Sequence, residues 1–186
     1  MRAAVIRAYR EPLSLETVPD PICEADGVVL KVLSCGVCRS DWHGWVGEHP
    51  KVKPGDIPGH EYCGEVVEAG PLAKWKQGDR VIAPFILACG DCPECRSGQT
   101  TTCRSQRVPG FGDRGAYAEY VSVPHAHNLT RLPDSLSPAL AAVLLKGHDA
   151  PKDRFSKLLD KVFGGWLFRP FNRFFEKASH GYVGTV

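Results

Sequence analysis

The run Cys89-Gly-Asp-Cys92-Pro-Glu-Cys95, followed by Cys103, constrains this chain more than any other feature. Three thiols at three-residue intervals and a fourth slightly further on can wrap one tetrahedral Zn2+ ion. Four thiolates leave such an ion no open position, so the site shapes a loop and does no catalysis itself. The binding energy of the metal becomes folding energy for a stretch with little apolar core of its own. The same spacing admits other readings: unrelated thiols, two disulfides, or an iron–sulfur cluster. Zinc is preferred among them because turn residues flank close-set cysteines, and because the compartment is expected to be reducing.

That compartment is read from the rest of the sequence. Residues 1–10 hold no apolar stretch of signal-peptide length, and no run of about 18 apolar residues occurs anywhere. A cytoplasmic protein with no membrane-spanning helix is therefore expected. The formal charge of +2 gives no reason to expect a nucleic-acid partner.

Nineteen glycines and fifteen prolines suggest short strands joined by tight turns. Ala3 to Ile6, Leu13 to Val18, Val28 to Ser34, Tyr62 to Ala69, Val81-Ile82 and Ala116 to Val123 read as strands. Many short strands predict a mainly β fold, a small barrel or sandwich, carrying the cysteine lobe. Leu136 to Leu145 is the first helical run. After it Phe155, Leu158, Leu159, Val162, Phe163, Trp166 and Leu167 fall on one helical face beside basic residues, until Pro170 breaks the pattern. Two regions follow: a domain over 1–144 and an amphipathic helical tail over 145–186. The tail is read as a loosely docked helix. The competing reading, a weak contact with an anionic membrane surface or a partner protein, comes from its basic and aromatic face. Asn128-Leu-Thr130 matches a glycosylation acceptor, which is discounted in a cytoplasmic chain.

A second constellation contains Cys38 and His60, a soft thiolate and an imidazole that two loops could bring together as zinc ligands. Taken singly, each has a plainer reading, as a small buried thiol and a hydrogen-bonded histidine. The order Gly-Val-Cys38-Arg-Ser40-Asp41-Trp-His43, then Gly59-His60-Glu61, then Gly78-Asp-Arg-Val81, then the four-cysteine loop, resembles the zinc-dependent alcohol dehydrogenases of the medium-chain dehydrogenase/reductase superfamily. The resemblance runs from Met1 to the 136–145 region and includes Arg131-Leu-Pro-Asp134.

The resemblance implies a GroES-like β-barrel and a role for each matching position. Cys38 and His60 would hold a catalytic zinc, and Glu61 would lie beside that metal and could coordinate it. Asp41 would accept a hydrogen bond from His60 and fix its tautomer. Ser40 would touch the substrate hydroxyl, and His43 would pass its proton to solvent by way of Ser40 and the cofactor ribose. Phe85 and, less directly, Trp45 and Trp42 would line the substrate pocket. Cys89, Cys92, Cys95 and Cys103 would hold the structural zinc. The expected reaction is alcohol–aldehyde interconversion on a small alcohol or aldehyde with NAD(P).

The sequence also departs from that family. The family's third ligand, usually a cysteine shortly after the stretch matching Ala141-Ala-Val-Leu144, is replaced by Leu145-Lys-Gly147, and no cysteine follows Cys103. Residues 146–186 hold no Gly-x-Gly-x-x-Gly fingerprint either, so no cofactor-binding residues are assigned. The expectation is therefore a truncated dehydrogenase domain with a weakened catalytic zinc site, not competent for turnover alone. Its choice between NAD and NADP, its oligomeric state and its particular alcohol stay open. The tail, through His148-Asp-Ala-Pro-Lys152 and Phe171 to Tyr182, resembles a cytoplasmic segment of resistance-nodulation-division efflux pumps. That suggests two genes joined near 135–146.

Overall fold

The computed structural model describes residues 1–138, which lie within the first of the two units into which the chain divides, Met1–Lys146. The expected tail helix over 145–186, its membrane contact and nearly all of the 136–145 helical run lie outside the described residues.

The described chain is mainly β. Strands β1 (Arg2–Val5) and β2 (Ser14–Thr17) form an antiparallel pair. Strands β3 (Val28–Cys35), β4 (Tyr62–Ala69), β5 (Arg80–Ile82), β6 (Tyr120–Val123) and β7 (Thr130–Arg131) form one antiparallel sheet in the order β6-β3-β4-β5-β7. A bridge between Ala3 and Ala118 ties the small sheet to the segment that leads into β6. Two short helices, α1 (Arg39–Trp45) and α2 (Pro93–Arg96), complete the regular structure apart from two 3-10 turns.

The core explains the register. Val28 and Leu30 of β3, Val66 of β4, Val81 of β5, and Val121 and Val123 of β6 all lose their contact with water. β-Branched side chains dominate because they pack well on a pleated surface. Burying each of these valines is worth about 1.5–3 kcal/mol. Within β4, Gly64 lies so close to β3 that a Cβ there would stand 2.6 Å from the Lys31 carbonyl oxygen. The β3–β4 pairing slips twice, between Val29 and Leu30 and between Val32 and Ser34. Such bulges bend a strand and raise its twist, and β3 leaves the sheet at Cys35, where the metal-ligand segment begins.

Five of the six strands read from sequence appear within one or two residues of their expected ends. The sixth is shorter: only Tyr120–Val123 pairs as a strand, not 116–123. Ala116 and Tyr117 donate instead to the carbonyls of Gly59 and Pro58, and Glu119 donates to Arg2. That segment stays extended because a loop and β1 satisfy its backbone. No helix among the described residues is long and apolar enough to cross a membrane.

Candidate metal centres

The cysteine lobe stands on a two-way backbone clasp: Leu87 and Arg107 exchange hydrogen bonds of 2.8 and 2.9 Å. The Asn128 side chain adds a second clasp, accepting from the Ala88 N–H at 2.9 Å and donating to its carbonyl at 3.0 Å. From this base the chain turns so that Cys92 caps α2, with Pro93 in the first helical turn. Glu94 and Arg104 then brace the lobe with two hydrogen bonds, of 3.0 and 2.5 Å. Arg104 holds the Glu94 carboxyl down at about 2.

The four sulfurs converge. Cys92 lies 3.4 Å from Cys95 and 3.8 Å from Cys103, and Cys103 lies 3.6 Å from Cys89. A tetrahedral zinc with bonds of about 2.3 Å sets its sulfurs about 3.8 Å apart. Bonded disulfides would need about 2.05 Å, and all eight cysteines are free thiols. Sulfurs this close leave room for a single ion, not for a multi-iron cluster. Backbone N–H groups of Asp91 and Cys92 pull the Cys89 thiol below its ordinary value, towards the thiolate that a metal binds, while burial pushes Cys95 the other way. The lobe therefore fits the structural zinc that its spacing suggests.

The second site forms where β3 hands over to α1. Cys38 is the N-cap of that helix, and its sulfur accepts from the Ser40 N–H at 3.3 Å. Asp41 reaches back to accept from the Cys38 N–H at 2.9 Å, which completes a capping box. Its other oxygen accepts from the Gly59 N–H at 3.3 Å. Gly59 needs its glycine: φ is +97°, and a Cβ would meet the Tyr117 ring at 2.6 Å and the Cys35 sulfur at 3.0 Å. This tight turn presents His60, whose Nε2 lies 3.2 Å from the Cys38 sulfur.

Asp41 and His60 are 8% and 4% exposed, and their facing atoms, Oδ1 and Nδ1, are 3.4 Å apart. That separation is an ion-pair contact and leaves Nδ1 without a good hydrogen bond. Burial alone pulls the His60 imidazole down, but Asp41 and Cys38 outweigh it and raise it to about 10. The surroundings are thus tuned to hold positive charge between a thiol and a carboxylate. Ligand atoms of Cys38, Asp41 and His60 lie within 4.8 Å of one another. Glu61 is not in that group, but its Oε2 is buried and lacks a hydrogen-bond partner. A soft thiolate, an imidazole and nearby carboxylates are a donor set suited to zinc.

A cavity of about 450 Å3 opens beside this pair. Ser40, His43 and His60 bring polar groups to its lining, and Phe85, Val108 and Phe111 apolar ones. The His43 Nδ1 pairs with the Glu48 carboxylate at 2.8 Å. Phe85 thus sits where the pocket was expected, and Trp45 does not. The Trp45 indole N–H donates to the Glu11 carbonyl at 2.6 Å, so that ring is spent on holding the chain before β2. Trp42 also lies off the lining and meets the His43 ring edge-on at 5.0 Å. Sequence reasoning missed Glu48, His49 and Lys51, which share the cavity with Ser40. They follow α1 closely, and their only sequence signal is a cluster of polar side chains between the two ligand motifs.

Residues 24–134 match the model of the alcohol dehydrogenase GroES-like domain. An alcohol dehydrogenase of Geobacillus stearothermophilus is 40% identical over 148 residues, 78% of this chain and 43% of that protein. An alcohol dehydrogenase of Moraxella sp. (strain TAE123) is 36% identical over 171 residues, 90% of this chain and 50% of that protein. That match takes in more of the chain than residues 1–144 make up. Among solved structures, the alcohol dehydrogenase of Thermus sp. ATN1 superposes with a TM-score of 0.70 at 36% identity. It covers 74% of this chain and 42% of that one. The chain spans about half the length, or less, of these relatives. The resemblance of the tail to an efflux-pump segment gains no support from these comparisons.

Proposed function

This chain belongs to the alcohol dehydrogenase GroES-like domain family, and on that premise we propose that it is the zinc-bearing catalytic domain of an alcohol dehydrogenase-type oxidoreductase. The reaction is interconversion of a small alcohol and its aldehyde with NAD(P). One observation carries this reading: Cys38 and His60 meet at 3.2 Å on the wall of a cavity that also holds Ser40 and His43.

Cys38 and His60 would hold the ion, with Asp41 and Glu61 as the carboxylates at hand. Zinc bound there supplies Lewis acidity, which lowers the pKa of an alcohol hydroxyl and, in reverse, polarises a carbonyl. Ser40, at the first turn of α1, offers a hydroxyl to receive the substrate proton. His43 lies on the same cavity with its side chain 37% exposed, so it can hand that proton to water. Glu48 fixes the ring through Nδ1 and leaves Nε2 for the exchange. Phe85, Val108 and Phe111 offer apolar surface for the hydrocarbon part of the substrate. Asp41 positions both ligands by bonding the Cys38 and Gly59 amides.

Given excess zinc, the chain should take up two ions, and Cys38→Ser or His60→Ala should take up one. Equal uptake by all three would contradict the reading. Mild chelation should strip the cavity ion first, because fewer soft ligands hold it than the four thiolates of the lobe. Retention of both ions alike would show that a further ligand completes the site. Gly110-Phe-Gly112-Asp-Arg-Gly115 has the glycine spacing of a dinucleotide fingerprint, but no helix follows it to receive a pyrophosphate, so the isolated chain should not oxidise alcohols with NAD(P). Turnover above background that Cys38→Ala abolishes would overturn that expectation.

A further inference from the structure

His49 lies on the same cavity as Ser40 and His60, yet nothing in the function proposed above uses it. Its Nδ1 accepts the Lys51 backbone N–H at 3.3 Å. Its ring packs edge-on against Phe111 with centroids 4.4 Å apart, and Phe111 packs against His60 at 4.8 Å. One aromatic ring therefore spaces His49 from the candidate metal ligand. With Nδ1 accepting, a neutral ring carries its proton on Nε2. Burial, with Lys51, His43 and His60 nearby, holds the imidazole below its ordinary value, which favours that neutral form at neutral pH.

We infer that His49 is a specificity residue: its Nε2–H donates to a second oxygen on the substrate, beyond the carbon that reacts. The chemical class selected is an alcohol with a neighbouring hydroxyl or carbonyl, as in a vicinal diol, rather than a plain alkanol. The cavity supports this choice. Its lining mixes the apolar side chains of Phe85, Val108 and Phe111 with the polar ones of His49 and Lys51. Against a plain alkanol, an Nε2–H on His49 would lose its hydrogen bond to water with no oxygen to replace it. The inference rests on the metal-centred reading above, because Cys38 and His60 are what anchor the first oxygen.

The test uses the zinc-loaded full chain, with 1,2-propanediol and 1-propanol titrated separately and followed by NMR. The wild type should bind the diol about fivefold more tightly, the worth of one ordinary hydrogen bond. His49→Phe should equalise the two while leaving 1-propanol within about twofold of wild type. His49→Gln, which restores an N–H donor, should recover part of the preference. A diol preference that survives His49→Phe overturns the inference. Cys38→Ser separates the two ideas: it should weaken both alcohols together. If both affinities survive that change, the metal-centred reading fails, whatever His49 does. If neither alcohol binds the zinc-loaded wild type, both fall.

Discussion

At the scale of single residues, Tyr62 is the side chain whose environment fits it least. It is fully buried beside Cys35 in the β3–β4 pairing. Its hydroxyl has no hydrogen-bond partner among the described residues, and burial drives its pKa well above the ordinary tyrosine range. A buried hydroxyl without a partner forfeits its hydrogen bonds to water, whereas the ring gains from burial. Tyr62→Phe keeps the ring and removes the oxygen. It should raise stability by about 1 kcal/mol, read as a higher urea midpoint with an unchanged slope. A drop of that size would mean that the hydroxyl is paired in solution. His60 shows the opposite case. Burial works against its charge, but Asp41 and Cys38 more than offset it.

At the scale of elements, the turn before β3 and the segment after β6 are pinned by one clasp. The Asp26 carboxylate and His125 Nδ1 lie 2.8 Å apart, and the Asp26 carbonyl accepts from the Ala126 N–H at 2.9 Å. His125 is the main reason that the Asp26 carboxyl titrates below its ordinary value. A carboxyl lowered by folding adds stability above its unfolded pKa and loses that contribution as pH falls through the folded value. Both side chains are partly exposed, 27% for His125 and 48% for Asp26, so solvent screens the pair. Asp26→Asn should cost less than about 1 kcal/mol at pH 7, and the gap from wild type should close below about pH 4. Urea midpoints at pH 7 and pH 3 measure it. No gap at either pH would show that the carbonyl contact, which the substitution keeps, does the holding.

How much of this was legible in the sequence depended on how locally each feature is encoded. Strands β3 and β4 were readable because their apolar residues follow one another or alternate along the chain. The cysteine lobe was readable because its four ligands are close neighbours in sequence. Cys38 and His60 are 22 positions apart, and spacing alone could not pair them; the order of family motifs suggested it, and the Gly59 turn provides it. Helix α1 escaped notice because its burial is confined to Asp41 and Gly44, so it shows no apolar stripe. His49 and Lys51 sit in a polar loop, and the ring that His49 packs against, Phe111, lies far along the chain.

At the scale of the whole molecule, two sources of order hold the described residues. The sheet is held by its apolar core, centred on Val28, Leu30, Val66 and Val81. The lobe contributes only Cys103 to the buried apolar set between positions 90 and 106, so its shape must come from elsewhere. The Glu94–Arg104 pair lies near the surface and is worth little alone. The remaining candidate is the ion that four thiolates would gather, whose binding energy is folding energy. Removing zinc with a strong chelator should therefore unfold the lobe while leaving the sheet. Amide exchange at 90–103 should approach the rate of an unfolded chain, to within about tenfold, while β3 and β4 keep their protection. The Leu87–Arg107 clasp and the Asn128 bracket mark where the loss should stop, because they need no metal. Cys92→Ser should reproduce the pattern without a chelator. A lobe that stays protected once metal analysis finds no zinc would mean that its turns and ion pair suffice. In that case the thiols would be free to do chemistry rather than to scaffold.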